Sequence, residues 1–276
     1  MPKTPVLKHK VELARMTHPE VVLACQEANG VAVIPIGATE QHGPHLPMDV
    51  DTISIEVPVL RAARAVGVVV APTIPYGNSR QNIAFPGTIA IRPRVLAEFV
   101  KDVCRSLHRH GFDKLVVVNG HGGNVQPLTI ALEEVHYETG ALAALVKAWQ
   151  LATIPPPEGA PSFEGHAGRQ ETELMLALQP EDVDREAFVF SAPTVQLGDL
   201  GSVTPAQYHP MDSPVNFLVT AWESSEYGHY GDPSMATAER GHTVLDAWAD
   251  GLAGLLRGIK SGEIRVTTRS EAMPPH

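Results

Sequence analysis

The chain has 276 residues, of which 43% are hydrophobic and 19% charged, and its formal net charge is −10 at pH 7. These values are typical of a globular protein with a substantial core. The acidic excess argues against nucleic acid or an anionic membrane surface as a partner, because phosphate groups would be repelled. No signal-peptide core and no run of about 18 apolar residues is present, so a cytoplasmic location is expected.

The cysteines of the chain favour a structural role, whereas the histidines point to a functional site. Cys25 and Cys104 each lie in an apolar pattern typical of a helix, which favours buried structural thiols over a disulfide or a catalytic cysteine. Histidine is unusually frequent, with 13 in the chain. Several histidines lie in glycine-rich loops, where filling a core does not explain them.

Strands and helices alternate along the first part of the chain. Four apolar runs predict strands, at Val31–Ile36, Val68–Ala71, Leu115–Val118 and Ala141–Ala148. Helices are predicted from Thr17 to about Ala28, from Asp51 to about Gly67, over Pro93–His110 and from Val125 to about Glu138. This alternation predicts an α/β protein with a mostly parallel sheet covered by helices on both faces.

The second part of the chain is less regular. Residues 151–165 are rich in Pro, Gly and Ala and predict an insertion that carries a lid or a subunit contact. A short helix ending at Pro180 follows, residues 181–235 are loop-rich, and the last helix runs from about Ala236 to Ile259. Too little regular structure follows the insertion to build a second core, so residues 1–276 are predicted to form a single domain.

The run from Gly37 to Asp51 concentrates carboxylates and imidazoles directly after the first predicted strand. Its polar members are Glu40, His42, His45, Asp49 and Asp51. Mixed carboxylate and imidazole ligands suit Zn, Mn or Fe, and ligands bind beyond the carboxyl ends of strands in open α/β sheets. The run therefore predicts a metal site, with a solvated polar loop as the alternative.

Two further loops carry candidate ligands. Asn119–Asn124 follows the third strand and contains His121 among glycines, although by itself this loop could instead bind an anion. The segment 164–173 contains His166 and Glu171. Right-handed crossovers place strand-end loops on one edge of the sheet, so the first two loops are expected to meet. The long loop Pro72–Ala90 is predicted to be ordered and functional.

Several segments together resemble the creatininase family. They are Glu40–Pro47 with Asp51, Phe85–Thr88, Asn119–Asn124, His166–Thr172 and residues 231–241. The resemblance implies a three-layer α/β/α sandwich, a dinuclear metal site and assembly into a homohexamer. It also implies hydrolysis of a C–N bond in a cyclic or small amide.

The resemblance implies a role for each candidate residue. Glu40 and His121 would hold one of two divalent ions (Zn, Mn or Fe(II)), His42 the other, and Asp51 would bridge them. Gly123 stands where creatininases have a ligand glutamate, and Glu171 is the candidate to fill the position that this leaves open. His166 would carry a proton to the leaving nitrogen, since imidazole titrates near neutral pH; the alternative is that it caps the helix that follows.

Roles are also expected for several polar residues outside the predicted ligand set. Asp49 is an alternative ligand to Asp51, and Asp51 is chosen because it matches the family motif. His45 is expected to orient a ligand or to contact substrate. Glu173 is expected to be a solvated helix residue. Candidates for substrate recognition are Arg80, Gln81, Trp222 and His229.

The predicted function is a metal-dependent amidohydrolase that acts on a small cyclic amide, a formamide or a related amide. A lactone or sugar-ring hydrolase is the alternative, because attack on an ester carbonyl needs the same centre. A non-catalytic metal-binding oligomer is a third interpretation. It is disfavoured because the full ligand set and His166 are present.

Overall fold

A computed structural model describes residues 10–160, 165–191 and 220–265, together with two short strands at 195–196 and 202–203. The helices are α1 His18–Glu27, α2 Val50–Val66, α3 Pro93–Arg109, α4 Val125–Thr139, α5 Arg169–Leu178, α6 Ala221–Ser224 and α7 Ala238–Ser261. The strands are β1 Val31–Ile36, β2 Val69–Val70, β3 Lys114–Asn119, β4 Leu142–Lys147, β5 Val195–Gln196 and β6 Ser202–Val203. The predicted strands and helices are confirmed, with bounds that differ by at most two residues.

The main sheet has four parallel strands in the order β2-β1-β3-β4. The two central strands are in register from Val31 opposite Lys114 to Ile36 opposite Asn119. Every residue of β1 is buried, which explains its continuous apolar sequence, because a parallel strand packs helices on both faces. The predicted α/β class is confirmed.

Helices cover the sheet in two groups. Helices α3 and α4 pack against each other, while α2, α5 and α7 form a second packed group. The chain leaves β1 toward β2 through α2 and leaves β3 toward β4 through α4, so right-handed crossovers put these helices on opposite faces. The result is the expected three-layer α/β/α arrangement, with Ile34, Leu115 and Leu252 fully buried in its core.

The strand order creates a crevice at one edge of the sheet. Because β1 and β3 are neighbours whose connections run in opposite directions, the loops after them separate and leave a ligand-binding crevice. The two loops begin at Gly37 and Gly120. A Cβ atom on Gly120 would lie 2.2 Å from the Asp51 carbonyl oxygen, so only glycine allows the start of α2 to approach the loop after β3 this closely.

The long loop between β2 and α3 is anchored against this edge. Isolated bridges join Ile36 to Ile74 and Thr39 to Ile89, and the Thr39 hydroxyl donates to the Pro75 carbonyl. A 3-10 turn at Arg80–Asn82 lies in its middle. The prediction that this loop is ordered agrees with these contacts.

The expectation for Glu173 was wrong. The side chain is buried, and its Oε1 atom accepts hydrogen bonds from Arg169 Nη1 at 2.7 Å and from Arg240 Nε at 2.8 Å. Arg240 Nη2 also donates to the Pro155 carbonyl at 2.7 Å. Glu173 thus faces α7 and joins α5, α7 and the segment that follows β4, instead of facing solvent.

Other predictions are confirmed or stay predictions. Cys25 and Cys104 are buried and free. No helix among the described residues is long and apolar enough to cross a membrane. The single domain over 1–276 and the homohexamer stay predictions. Part of the predicted insertion, residues 161–164, and much of the loop-rich stretch, including residues 204–219, lie outside the described residues.

Candidate metal centre

The six residues predicted for the site converge at the carboxyl edge of the sheet. Glu40 and His42 come from the loop after β1, and Asp51 lies in the first turn of α2. His121 follows β3, His166 precedes α5, and Glu171 lies in the first turn of α5. The predicted meeting of the loops after β1 and β3 is confirmed, since Glu40 Oε1 lies 3.3 Å from His121 Nδ1.

Asp51 lies at the middle of the cluster. Its Oδ2 atom is 3.0 Å from His121 Nδ1, and its Oδ1 atom is 3.4 Å from His42 Nε2. On the far side of His42, Glu171 Oε2 lies 3.7 Å from the same Nε2 atom. Two sets of possible ligand atoms, each within 4.8 Å, therefore share Asp51: one with Glu40 and His121, the other with His42 and Glu171.

Three histidines of the site are oriented in the same way. One ring nitrogen of each lies close to a backbone carbonyl: His42 Nδ1 at 3.0 Å from Glu40 O, His121 Nε2 at 3.1 Å from Asn78 O, and His166 Nε2 at 2.7 Å from Gln41 O. A carbonyl oxygen only accepts, so these nitrogens carry the hydrogen. The other nitrogen of each ring faces the carboxylates, and when it carries no hydrogen it can offer its lone pair to a metal ion.

The electrostatics of the cluster are set by burial and by these close pairs. Burial lowers the pKa of His42, but the carboxylates of Asp51, Glu171 and Glu40 together raise that pKa to about 9. Burial raises the pKa of Glu40, yet His121 and His166 hold it below its usual value. For Glu171, burial dominates and raises the pKa. The buried carboxylates therefore need positive charge nearby to stay ionised.

The residues fit a divalent cation. Among the described residues, Glu40 Oε1 and Oε2, His42 Nε2 and Asp51 Oδ2 are buried without a hydrogen-bond partner. Buried polar atoms of this kind are rare in proteins unless a partner completes them. Carboxylate oxygen and imidazole nitrogen are ligands for Zn, Mn or Fe(II), and such an ion would satisfy these atoms.

The structure leaves no room for a side chain at Gly123, the position where the resemblance implies a ligand glutamate. A Cβ atom at Gly123 would lie 2.3 Å from the Asn78 carbonyl oxygen and 2.5 Å from His121 Nε2. A side chain is therefore excluded there by the same carbonyl that holds the His121 ring. Glu171 approaches the cluster from α5 instead, and its Oε2 atom also accepts from the Ala167 amide at 2.5 Å.

The turn between His166 and α5 is strained. Ala167 is buried and has φ of +53°, in the left-handed region that residues with a Cβ atom adopt at a cost of about 1–3 kcal/mol. Its amide is held by Glu171, and the following helix is joined to the loop after β1 where Thr172 Oγ1 meets His45 Nε2 at 3.2 Å. This strain is consistent with a turn that is fixed by its surroundings to orient His166.

The remaining candidates lie outside the cluster. Asp49 precedes α2, where its carbonyl accepts from the Thr52 and Ile53 amides. His45 is buried, with its Nε2 atom 3.2 Å from Thr172 Oγ1, and its role in orienting a ligand or contacting substrate stays a prediction. His229 is also buried, whereas Trp222 is 63% exposed and stacks edge-on against Phe85. Arg80 and Gln81 lie on an exposed turn.

Two residues that hold the site were missed at the sequence level. Asn78 supplies the backbone carbonyl that orients His121, and the backbone amide of Asn78 donates to Asn124 Oδ1 at 2.8 Å. Gln41 supplies the carbonyl that orients His166. Gln41 stands between two predicted ligands, and Asn78 lies in a loop predicted to be functional, but a backbone carbonyl leaves no signature in a sequence.

A parallel sheet with carboxylates and histidines at its switch point is an arrangement that suits a metal-dependent hydrolase. Comparison with known proteins gives the family. A family model described as creatinine amidohydrolase, of the creatininase family, matches residues 14–256. The chain belongs to the creatininase family, whose enzymes are hydrolases that use divalent metal ions.

Individual relatives agree with this assignment. The mycofactocin precursor peptide peptidase of Mycolicibacterium smegmatis is 32% identical over 234 residues, which cover 82% of this chain and 84% of the relative. The creatinine amidohydrolase of Pseudomonas putida is 29% identical over 269 residues, covering 91% and 98%. A solved structure named "Creatininase Mn" is 30% identical, with a TM-score of 0.72 over 91% of this chain and 98% of that one.

Proposed function

We propose that this protein is an amidohydrolase with two divalent metal ions. One ion would be held by Glu40, Asp51 and His121, and the other by His42, Asp51 and Glu171. The observation that carries the proposal is the division of the two Asp51 oxygens, with Oδ2 at 3.0 Å from His121 and Oδ1 at 3.4 Å from His42. A carboxylate placed in this way can bridge two ions, each completed by one histidine and one further carboxylate.

The bound ions would supply an activated water and polarise the carbonyl of the substrate. His166 would carry the proton. Its Nε2 hydrogen is donated to the Gln41 carbonyl, so Nδ1 is a free base, and this atom lies 3.5 Å from Glu40 Oε1. Nδ1 can accept a proton at the cluster and deliver it to the leaving nitrogen, because the opposite ring nitrogen is anchored and the ring does not need to turn.

The proposed substrates are cyclic amides, formamides and related small amides. The names of the relatives support C–N bond cleavage, since one is a creatinine amidohydrolase and another a peptide peptidase. Creatinine itself is a weaker candidate. At Gly123 the chain lacks the ligand glutamate of creatininases, and Glu171 approaches from a different element.

The test combines metal analysis with a substrate panel. Protein purified without chelator should contain close to two equivalents of Zn, Mn or Fe per chain by elemental mass spectrometry. The panel holds creatinine, a cyclic imide, an N-formyl aromatic amine, a short peptide and a γ-lactone. Hydrolysis of at least one amide, abolished by chelation and restored by the metal, supports the proposal. Turnover of the lactone alone supports the ester hydrolase, and metal-free inactive protein after reconstitution overturns both.

A further inference from the structure

Gln41 lies between the candidate ligands Glu40 and His42 and is only 5% exposed. We infer that Gln41 is a positioning residue that fixes His166 and ties it to two surrounding loops. The inference rests on the proposed function, because His166 is the proton carrier there. It adds a residue that lies outside the candidate ligand groups and acts through another side chain.

The first contact is made by the main chain of Gln41. His166 Nε2 donates to the Gln41 carbonyl oxygen at 2.7 Å. This bond fixes the ring tautomer and leaves Nδ1 toward Glu40 Oε1 at 3.5 Å. The position of the Gln41 backbone therefore decides where the basic nitrogen of His166 lies.

The carboxamide of Gln41 fixes that backbone. Its Nε2 atom donates to Asn82 Oδ1 at 2.9 Å and to the Gly228 carbonyl at 2.6 Å, while Oε1 accepts from the Gly43 amide at 2.8 Å. Both amide hydrogens are then used, so the 3.2 Å approach of Gln41 Nε2 to His166 Nε2 is a contact between two donors. These hydrogen bonds, to two acceptors and from one donor, specify one orientation of the carboxamide.

The turn at Gly228 contacts both Gln41 and His166. A Cβ atom on Gly228 would lie 2.5 Å from Gln41 Oε1, and the residue has φ of +74°, so glycine is needed for this close approach. Two residues later, the Tyr230 amide donates to the His166 carbonyl at 2.8 Å. Loss of the Gln41 carboxamide would therefore release the turn and the His166 main chain together.

Asn82 offers a way to separate this role from general packing. Its Oδ1 atom accepts from Gln41, but its Nδ2 atom is buried without a partner among the described residues. Asn82→Asp keeps the acceptor and loses no hydrogen bond at Nδ2, although it introduces a buried carboxylate. Asn82→Leu removes the acceptor at similar volume.

The experiment compares Gln41→Met, Asn82→Leu, Asn82→Asp and the Gln41→Met/Asn82→Leu double variant with wild type. Gln41→Met preserves length and removes the three side-chain bonds, and Gln26→Met on the exposed face of α1 is the matched control. Amide hydrogen exchange is followed in peptides that cover residues 165–168 and 226–231, in both chelated and metal-loaded protein. Metal content, kcat and KM are measured on the best amide of the panel.

We expect Gln41→Met and Asn82→Leu to speed exchange in these two peptides and to lower kcat about 10–100-fold, with two metals retained and KM changed less than about threefold. Asn82→Asp should be impaired less than Asn82→Leu, because it keeps the acceptor for Gln41 although it places a carboxylate at a buried position. The double variant should be no worse than Gln41→Met, because Gln41→Met already lacks the bond to Asn82. Wild-type exchange and wild-type kcat in Gln41→Met overturn the inference, and so do additive effects in the double variant. Failure of the proposed function gives a different result, because the wild-type protein itself then lacks bound metal or amide turnover. Hydrogen exchange in the chelated protein still tests the Gln41 contacts in that case.

Discussion

Asp51 and His121 lie 3.0 Å apart, between Oδ2 and Nδ1, although one belongs to the first turn of α2 and the other to the loop after β3. The glycine at position 120 allows this approach, since any Cβ there would overlap the Asp51 carbonyl. The contact joins the two loops of the switch point. The second Asp51 oxygen remains directed to His42.

Asp51→Asn should lose both metal ions. The amide replaces one carboxylate oxygen by a hydrogen-bond donor and removes the negative charge that both ions would share. Elemental mass spectrometry on protein purified without chelator measures the effect. Asp49→Asn is the matched control and should keep two ions, because Asp49 lies outside the cluster. Two ions retained in Asp51→Asn would show that Asp51 does not bridge.

His166→Asn should separate proton transfer from metal binding. We expect two ions per chain as in wild type and a fall in kcat of about 100–10,000-fold, since a positioned acid–base group contributes this much. His110→Asn, at the exposed end of α3, should match wild type. His166 also belongs to a possible ligand group with Glu40 and His42. Loss of one ion in His166→Asn would therefore assign His166 to the metal instead of the proton.

Adjacent glycines after His121 provide a matched pair of variants. A Cβ atom at Gly123 would overlap the Asn78 carbonyl and His121 Nε2, while one at Gly122 meets nothing within 4 Å. Gly123→Ala should therefore displace the His121 ring and weaken metal binding about 10–100-fold, as loss of a ligand-orienting contact does. Gly122→Ala should leave it unchanged. Competition with a chromophoric chelator measures both affinities, and equal values would contradict the proposed role of the Asn78 carbonyl.

The ligand loops were predictable because their signals are local. Carboxylates and histidines follow the apolar run Val31–Ile36 directly, and the strand alternation with right-handed crossovers places the loop with His121 beside them. The contacts that orient the rings were not predictable. They use the carbonyls of Gln41 and Asn78, and every residue has a carbonyl, so only the fold decides which ones face a histidine.

Glu173 was wrongly expected to be solvated for a related reason. Helix α5 is short, and Glu171 and Glu173 are two residues apart on it, so their side chains point in different directions. The structure directs Glu173 to the contact with α7. Arg240, which forms an ion pair with Glu173, belongs to the last helix. The sequence does not indicate that α5 and α7 are in contact.

Glu173→Ala should destabilise the protein strongly. The Glu173 side chain is 1% exposed and its partners Arg169 and Arg240 are 8% and 26% exposed, so removal of the carboxylate breaks two ion pairs in a region of low dielectric. Breaking a buried pair in this way costs about 3–5 kcal/mol in the free energy of unfolding. Denaturant unfolding of chelated protein measures this energy without a contribution from metal binding.

The control for this variant is Glu133→Ala on the exposed face of α4, which should change the free energy of unfolding by less than about 0.5 kcal/mol. Glu173→Gln separates charge from packing, because it keeps the volume and an acceptor oxygen. It should fall between wild type and Glu173→Ala. If Glu173→Ala unfolds at the wild-type denaturant concentration, the ion pairs between α5 and α7 do not stabilise the fold, and the two helices are joined by their apolar contact and the close approach at Gly241 instead.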